Sequence, residues 1–462
     1  MLPLAKIKRL IEKNRWAQAQ ESLQQRLKAY PEELQTLNWL AMCALQKKHY
    51  TQAQAWCHRS LTLKPEQPRL WAQAAEIALH REDYPLAFEA ITRAVGQMPD
   101  DTKFLCLQAQ VLMKVHRWPQ AAELLDKLMV KEPNNPNIKM LQLQRLQQEE
   151  RFEEAEPIAR EFFEASRTPD VTNTYAVTLL NLGRAEEAVE LLRRGVNYYL
   201  SNPINAIEQP EPSGYMNVDK AREALLALHE VMGRLNVPFF LFAGTLLGIV
   251  RDGEQLPHDK DMDVGLPWKT PRLPLLEALL NQGFVCPQIE SYRKKEPDWY
   301  LTVLHKETGI TIDFFFAKVV ENEGEDTKGK VLMGFEKGGQ PMLWGFRPFK
   351  LTSIDYHGKS FLAPDPPEQS LEDIYGANWR IPDANFDSCI VAPNVTPESR
   401  PVGQAMGLNR LLGHLGSQNW KKAHGYCLQL LSIAPEPDPM LEKLRDLLEK
   451  KFGQPDWYKP IS

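Results

Sequence analysis

A small-residue segment and an aspartate-rich segment lie close together in the chain: Gly244-Thr245-Leu246-Leu247-Gly248-Ile249-Val250-Arg251-Asp252-Gly253, then Pro257-His258-Asp259-Lys260-Asp261-Met262-Asp263-Val264-Gly265. Because side chains of a strand alternate between its faces, Asp259, Asp261 and Asp263 are predicted to project the same way. Like charges placed side by side repel one another, and a divalent cation would relieve that repulsion. Carboxylate oxygens suit Mg²⁺ or Mn²⁺ with a bound phosphate. The pattern therefore indicates phosphoryl or nucleotidyl transfer.

Bulk composition narrows the class of protein. The 462 residues are enough for two or three domains, and 55 basic against 60 acidic residues leave a net charge of -5. That balance argues against a general nucleic-acid binder. Six scattered cysteines without a C-x-x-C pair fit neither a disulfide framework nor a zinc site. We expect a cytoplasmic protein without a secretory signal or transmembrane segment, and membrane association through a partner stays open.

The first two hundred residues repeat with a period of 34 residues. Three marker types keep this step: aromatic residues at Trp16, Tyr50, Tyr84, Trp118 and Phe152, alanines at Ala19, Ala53, Ala87, Ala121 and Ala155, and prolines at Pro31, Pro65, Pro99 and Pro133. The pattern resembles the tetratricopeptide repeat, a helix–turn–helix unit. Such arrays carry a groove that binds a protein partner, or they hold a neighbouring domain in place. An irregular helical bundle is the alternative.

The same spacings return near the end of the chain. Trp420, Ala423 and Pro435 are placed relative to one another as Trp16, Ala19 and Pro31 are. Residues 404–452 are therefore predicted to form one more repeat-type helix pair and a further helix from Met440 to Phe452. A single unit cannot bury its own apolar face, so it should pack on the middle domain, on the array or on another subunit.

These patterns predict a multidomain chain. The predicted boundaries are a tetratricopeptide-repeat array at 1–200, a proline-rich linker at 201–214, an α/β domain with a mixed sheet at 215–400, and a C-terminal helical hairpin and tail at 401–462. Cleavage in the linker is expected to separate the array from the remainder.

Asp313 is the candidate that completes the site. In the predicted hairpin of 300–305 with 309–320, Ile310, Ile312, Phe314 and Phe316 share one face and Asp313 takes the other. A buried carboxylate without a partner costs several kcal/mol or takes up a proton, and a shared metal would offset that cost. An edge aspartate that faces water or pairs with Lys or Arg is the alternative.

Two separated motifs resemble the LicD/fukutin family, a branch of the nucleotidyltransferase fold. The first runs from Gly244 to Asp263 as quoted above, and the second is Leu371-Glu372-Asp373-Ile374-Tyr375-Gly376-Ala377-Asn378-Trp379-Arg380-Ile381-Pro382. The resemblance covers roughly residues 217–385. It implies transfer of phosphocholine, ribitol phosphate or glycerol phosphate from a CDP-activated donor to a glycan. Many members have Trp where His258 stands and Asp where Lys260 stands, which puts the substrate in doubt more than the chemistry.

The resemblance implies roles for particular residues. Gly244 and Thr245 would form the phosphate-binding turn, and Asp261, Asp263 and Asp313 would hold Mg²⁺ or Mn²⁺. Arg251 is the candidate for a phosphate contact, Asp259 or Asp313 for orienting or deprotonating the acceptor hydroxyl, and Lys260 for contact with the substrate.

The remaining motifs have two interpretations each. The segment with Tyr375 and Gly376 is read either as a family motif or as a helix end with Gly in the left-handed conformation. Residues 321–349 form either a substrate flap with Lys337, Trp344 and Arg347 or a plain hairpin. The alternatives for the whole protein are a nucleotidyltransferase that uses an NTP directly, and an interaction protein whose transferase domain is inactive.

Overall fold

The computed structural model describes residues 2–115, 117–202, 216–257, 259, 261–320, 329–383 and 385–453, except the side chain of Glu290. Most of the predicted linker, 203–214, lies outside the described residues. The chain divides into two compact units, Met1–Arg145 and Leu146–Ser462. The second unit therefore contains the last helices of the predicted array as well as the predicted α/β domain.

The first unit is a succession of short helix pairs that follow the 34-residue period. Its helices are α1 (Leu4–Glu12), α2 (Trp16–Ala29), α3 (Leu34–Gln46), α4 (Tyr50–Leu63), α5 (Pro68–His80), α6 (Tyr84–Gln97), α7 (Thr102–Lys114), α8 (Trp118–Lys131) and α9 (Pro136–Gln148), whose last turn crosses the boundary. The periodic aromatic residue begins the second helix of each pair. The periodic alanines Ala19, Ala53, Ala87 and Ala121 are fully buried, which lets the paired helices approach closely.

The turn between the two helices of a pair has its own repeated feature. One non-glycine residue per turn adopts a positive φ, at Asn14, Lys48, Glu82 and Glu150, and Gly183 takes the corresponding place in the next pair. Gln418 has the same conformation just before Trp420, at φ 60°. The C-terminal segment therefore shares the backbone geometry of the repeats as well as their sequence spacing.

The second unit holds three more helices of the array, a nine-stranded mixed sheet with its helices, and the C-terminal helices. Its elements are α10 (Phe152–Ala165), α11 (Pro169–Asn181), α12 (Ala185–Ser201), α13 (Val218–Leu235), β1 (Phe240–Leu241), α14 (Ala243–Asp252), β2 (Asp261–Pro267), α15 (Arg272–Leu280), β3 (Phe284–Val285), α16 (Ile289–Lys294), β4 (Tyr300–His305), β5 (Thr311–Val319), β6 (Val331–Lys337), β7 (Gln340–Phe346), β8 (Lys350–Tyr356), β9 (Lys359–Asp365), α17 (Pro367–Tyr375), α18 (Ser388–Val391), a 3₁₀ turn (Pro397–Ser399), α19 (Arg400–Gly416), α20 (Trp420–Ser432) and α21 (Pro439–Phe452).

The sheet runs in the order β3-β4-β5-β2-β1-β9-β8, and the β6–β7 hairpin extends from β5. β2 lies parallel to β5 and β1 parallel to β9, whereas the other pairs are antiparallel. One face of the central strands is apolar and packs with α13 and α15 into a single core. The predicted mixed α/β domain is confirmed, as is the hairpin of β4 with β5.

The beginning of α14 differs from the sequence prediction. We expected a phosphate-binding turn at Gly244 and Thr245, but strand β1 ends at Leu241 and helix α14 begins at Ala243. Pro238 has no N–H for a strand ladder, which shortens the strand. Ala243 takes a positive φ of 41°, so the chain turns sharply there and Gly244 and Thr245 form the first helical turn.

The C-terminal helices stack on the last pair of the array. Helix α19 packs against both α11 and α12, α20 packs on α19, and α21 reaches back to α12. The two Asp438 carboxylate oxygens accept hydrogen bonds of 2.6 and 2.9 Å from Arg193 of α12. Gly195 lies where a Cβ would be 2.6 Å from Leu412 Cδ2, so α12 and α19 are in close contact. The extra repeat unit therefore continues the helical stack, and residues 217–391 are inserted between two of its layers.

Candidate functional site

Two parallel strands place carboxylates side by side. In the register of β2 with β5, Asp263 is the partner of Asp313 and Asp261 is the partner of Thr311. Met262 and Val264 point into the core, as do Ile312 and Phe314, so the aspartates occupy the opposite face of the sheet. The predicted division of β5 between an apolar face and an Asp313 face is what the burial and register show.

Asp313 is buried, and its carboxylate uses only part of its capacity to accept hydrogen bonds. Thr302 of β4 is its direct partner across the antiparallel pair, and Tyr300 lies two residues further along the same face. Side-chain hydrogen bonds from both residues favour the charged carboxylate. Burial and the charge of Asp261 work against it and together raise the pKa of Asp313 to about 7. Asp313 Oδ1 is buried without a hydrogen-bond partner, and the residue is only 8% exposed.

The first turn of α14 holds Asp263. The Gly244 N–H donates to Asp263 Oδ2 at 3.0 Å, and the Asp263 N–H donates to Thr245 Oγ1 at 2.8 Å. The two contacts connect the helix start to the strand that carries the aspartates. The Gly244 N–H is thus engaged by a carboxylate.

Gly244 also leaves room for the third aspartate. A Cβ on residue 244 would clash with Asp259 Oδ2 and would lie 3.3 Å from Asp263 Oδ2. Only a residue without a side chain lets both carboxylates approach the helix start. Asp259 lies just before β2 and not within it, yet it still joins the carboxylate group.

The carboxylates act on one another. The pKa of Asp263 is raised well above its usual value, first by burial and then by the charges of Asp261, Asp259 and Asp313. The Gly244 N–H opposes the shift only in part. A partly buried group of four acidic side chains is stable in the ionised form only if a cation joins it.

The second family motif, residues 371–382, also lies near the aspartates. Burial and the charges of Asp263 and Asp259 raise the pKa of the Tyr375 phenol well above its usual value, and Arg251 opposes the shift. Gly376 ends α17 with a positive φ of 77° and ψ of -178°, a conformation that favours glycine, although not the left-handed helical one we expected. Both interpretations of this motif are therefore compatible: it ends a helix and it borders the carboxylates.

Some of the other candidate residues are described by the structure, and some lie outside its described part. Arg251 is largely buried on α14 and forms hydrogen bonds of 3.0 and 2.8 Å with the neighbouring Asp252. Lys260 and His258 lie outside the described residues. Arg347 pairs with Glu372 and Asp373, and the Trp344 indole donates to the Ser388 carbonyl. These two side chains of the expected flap are thus held by the domain itself.

The carboxylate oxygens of these aspartates are suitable ligands for a hard divalent cation. Asp313 Oδ1 is an orphaned buried acceptor, Asp263 lies opposite it in the strand register, and the charges of Asp261 and Asp259 act on Asp263. Among the described residues, no three such side chains already form a complete coordination set. Binding of Mg²⁺ or Mn²⁺ would therefore have to draw the carboxylates closer together.

Sequence reasoning missed Thr302 and Tyr300. Both lie in the predicted strand opposite Asp313, with a spacing of two residues that places them on one face. The alternation Tyr300-Leu301-Thr302-Val303 carries the signal, because its polar members face the only acidic position of β5. Finding it required the register between the two strands.

Comparison with known protein families finds a match for two segments of the chain. Residues 236–365 match the model of the LicD/FKTN/FKRP nucleotidyltransferase domain, and residues 4–68 match a tetratricopeptide repeat. The predicted combination of a LicD/fukutin-type domain with N-terminal tetratricopeptide repeats is confirmed.

Individual relatives cover only part of the chain. It is similar to ribitol-5-phosphate transferase FKTN of Macaca fascicularis, 26% identical over 178 residues, and to that of Homo sapiens, 25% identical over the same length. Each match covers 38% of this chain and 37% of the relative. The repeats are similar in fold to a solved tetratricopeptide repeat protein from Parabacteroides merdae, with 14% identity, a TM-score of 0.38 and coverage of 49% of this chain and 86% of that one. Among the described helices, none is long and apolar enough to span a bilayer.

Proposed function

We propose that this protein transfers a phosphorylated alcohol from a CDP-activated donor to a glycan, with a divalent metal ion at its carboxylates. Phosphocholine, ribitol phosphate and glycerol phosphate are the candidate groups. The observation that carries the proposal is the convergence of Asp259, Asp261, Asp263 and Asp313 on one face beside the start of α14, within the segment that matches the LicD/FKTN/FKRP domain. The similarity to enzymes named ribitol-5-phosphate transferases supports this class of reaction.

Residues of the chain would position the reactants. Phosphoryl transfer depends mainly on alignment and on neutralising charge, and little covalent chemistry falls to the protein. Asp261, Asp263 and Asp313 would hold Mg²⁺ or Mn²⁺, which when bound would neutralise charge on the donor diphosphate. Thr302 and Tyr300 would keep Asp313 in place from behind, and the Gly244 N–H would do the same for Asp263.

Two residues remain for contacts with the reacting groups. Asp259 is not fixed by a strand and lies beside Gly244, so it could orient the acceptor hydroxyl or accept its proton. Arg251, on the same helix, would attract the donor phosphates through its positive charge. The repeat array would dock the enzyme to a protein partner.

The decisive experiment measures which product leaves the donor. Purified full-length protein with Mg²⁺ is incubated with CDP-choline, CDP-glycerol or CDP-ribitol, and released CMP is quantified with and without glycan acceptors. We expect CMP from one of these donors, and none after Asp261→Asn. A matched control, Asp446→Asn on the exposed side of α21, should behave as the unmodified protein.

Two other results would redirect the assignment. Pyrophosphate release from CTP or ATP, without CMP from any CDP-alcohol, would favour a nucleotidyltransferase that uses an NTP. If none of these compounds binds or reacts with metal present, the chain is an interaction protein with an inactive transferase domain.

A further inference from the structure

The two kinds of turn in the first unit carry opposite charge. The turns within helix pairs, which we call the basic edge, are mainly cationic: the exposed side chains of Lys13, Arg15, Lys47, Lys48, Arg81, Lys114 and Arg117 outnumber the carboxylates of Glu82 and Asp83 in the third turn. The turns between pairs are mainly acidic, with Glu32, Glu33, Glu66, Asp100, Asp101 and Glu132 against the cation Lys64. Because successive pairs stack in one direction, turns of one kind lie on one side of the stack. The unit is thus charged oppositely along its two sides, although the whole chain has a net charge of only -5.

The acidic side has a structural explanation. Glu33 pairs with Arg26 and Thr36, Asp101 accepts from the N–H groups of the first turn of α7, and Glu132 binds Thr102 and Asn135. These carboxylates hold the turns between pairs through hydrogen bonds, and Asp101 also caps the first turn of α7.

Two of the cationic side chains of the basic edge make contacts that support the fold. Lys47 donates to Gln20, and Arg117 stacks on Phe88 at 4.3 Å. Lys13, Lys48 and Arg81 are exposed and lie where the chain turns between the helices of the first three pairs. Their positive potential would attract an anion, although Glu82 beside Arg81 reduces it at the third turn.

Clefts open between neighbouring turns of the basic edge. One of about 450 Å³ lies between the first two turns and is lined by Arg15, Trp16 and Lys47, among others. The next, of about 540 Å³, is lined by Lys48, His49, Tyr50, His80 and Arg81. The rings of Tyr50 and His80 stack at 4.9 Å to form one of its walls. The two clefts are both shallow and open, and they lie one helix pair apart along the edge.

We propose that the basic edge binds a chain that carries repeated phosphate groups, and that this chain is the glycan acceptor or its modified product. Two successive cationic clefts, one repeat apart, fit discrete anionic groups along a polymer. The identity of the polymer rests on the proposed function, because transfer of a phosphorylated alcohol to a glycan produces phosphodiesters. A membrane surface fits less well: in the described part of this unit the exposed large apolar side chains, Leu2, Tyr30, Leu63 and Val130, lie away from these turns.

The test uses a labelled oligomer of poly(glycerol phosphate) and the full-length protein. We expect binding that weakens strongly between about 50 mM and about 200 mM salt, since phosphate binding releases counterions. The triple variant Lys13→Glu, Lys48→Glu, Arg81→Glu should lose roughly tenfold or more in affinity. The control variant Lys28→Glu, Lys64→Glu, Lys103→Glu changes net charge equally at exposed positions off the basic edge, and it should lose less than about threefold. Circular dichroism melts establish that both variants fold.

Several outcomes overturn the proposal: no binding of the oligomer, equal losses in the two variants, or equal binding of neutral dextran. Binding to phosphatidylglycerol vesicles that depends on the basic edge, without binding of the oligomer, would identify a membrane surface instead. Oligomer binding that depends on the basic edge, in a protein that releases CMP from no donor, would contradict the proposed function and leave the polyanion site standing.

Discussion

Asp263 and Asp313 are direct neighbours on the parallel strands β2 and β5, and both carry raised pKa values. Two buried like charges at adjacent positions are tolerated only when protonated or joined by a cation. This relationship makes the site sensitive to metal, to pH and to single substitutions that keep its shape.

Asp261→Asn or Asp263→Asn should reduce the rate of transfer by about 100-fold or more. Loss of one preorganised electrostatic group typically lowers an enzyme's rate by this factor. Without metal, stability should be equal or higher, because a repulsive charge is removed and Asn can still accept from the Gly244 N–H. Assays of CMP release and thermal melts in EDTA measure the two effects. Full activity in either variant would refute the assignment of the metal ligands.

The stability of the metal-free protein should fall as pH rises from about 4 to about 7. An Asp with an unfolded pKa near 3.9 and a folded pKa of about 7 binds more protons in the folded state between these values. Stability therefore decreases with pH across this window. In EDTA, Asp313→Asn should flatten the decrease, and at the upper end of the range Mg²⁺ or Mn²⁺ should raise the melting temperature of the unmodified protein. A melting temperature that rises with pH in EDTA would contradict the raised pKa.

Thr302→Val should weaken Mn²⁺ binding by roughly 10-fold or more, because the hydroxyl that orients Asp313 from behind is lost. Stability should change by only about 1 kcal/mol. Thr352→Val, in β8 at the far edge of the sheet, is the matched control. Electron paramagnetic resonance of bound Mn²⁺ reports affinity separately from activity. Unchanged Mn²⁺ affinity would show that Thr302 only supports the fold.

Gly338→Ala should destabilise the second unit more than Gly339→Ala does. Both glycines have positive φ, so both substitutions carry a backbone cost of about 1–2 kcal/mol. A Cβ on Gly338 would additionally meet the backbone of Asn181, Leu182 and Gly183 in the turn between α11 and α12, whereas one on Gly339 meets nothing within 4 Å. Denaturant unfolding of the two variants compares them. Equal stabilities would show that the β6–β7 hairpin does not rest on this turn.

Cleavage within 201–214 should leave the two fragments associated under native conditions. Helices α11 and α12 pack on α19, and Arg193 of α12 forms a bidentate ion pair with Asp438. The contacts lead us to expect joint elution, in contrast to the separation expected from the linker composition alone. Size-exclusion chromatography after limited proteolysis decides between the two, and Arg193→Ala should loosen the association. Fragments that separate readily would mean that these contacts are weak.

Much of this architecture could be predicted from the sequence, because the signals are local. The 34-residue period places an aromatic residue at the start of every second helix, and the same spacing at Trp420 and Ala423 identified the distant unit. Alternation along 310–316 separated Asp313 from its apolar neighbours, and residues 244–263 and 371–382 carried the family resemblance. Such patterns reflect the helix and strand periods, which hold wherever the segment lies in the fold.

Tertiary structure alone decided what lies beside each of these segments. The register of β4 with β5 brings Thr302 and Tyr300 behind Asp313, and the turn at Ala243 brings the Gly244 N–H to Asp263. The stacking of α19 on α11 and α12 makes the separate C-terminal unit the next layer of the array. Strand register and helix docking depend on which apolar faces meet after the chain has folded, and pairings between distant residues leave no periodic trace in a single sequence.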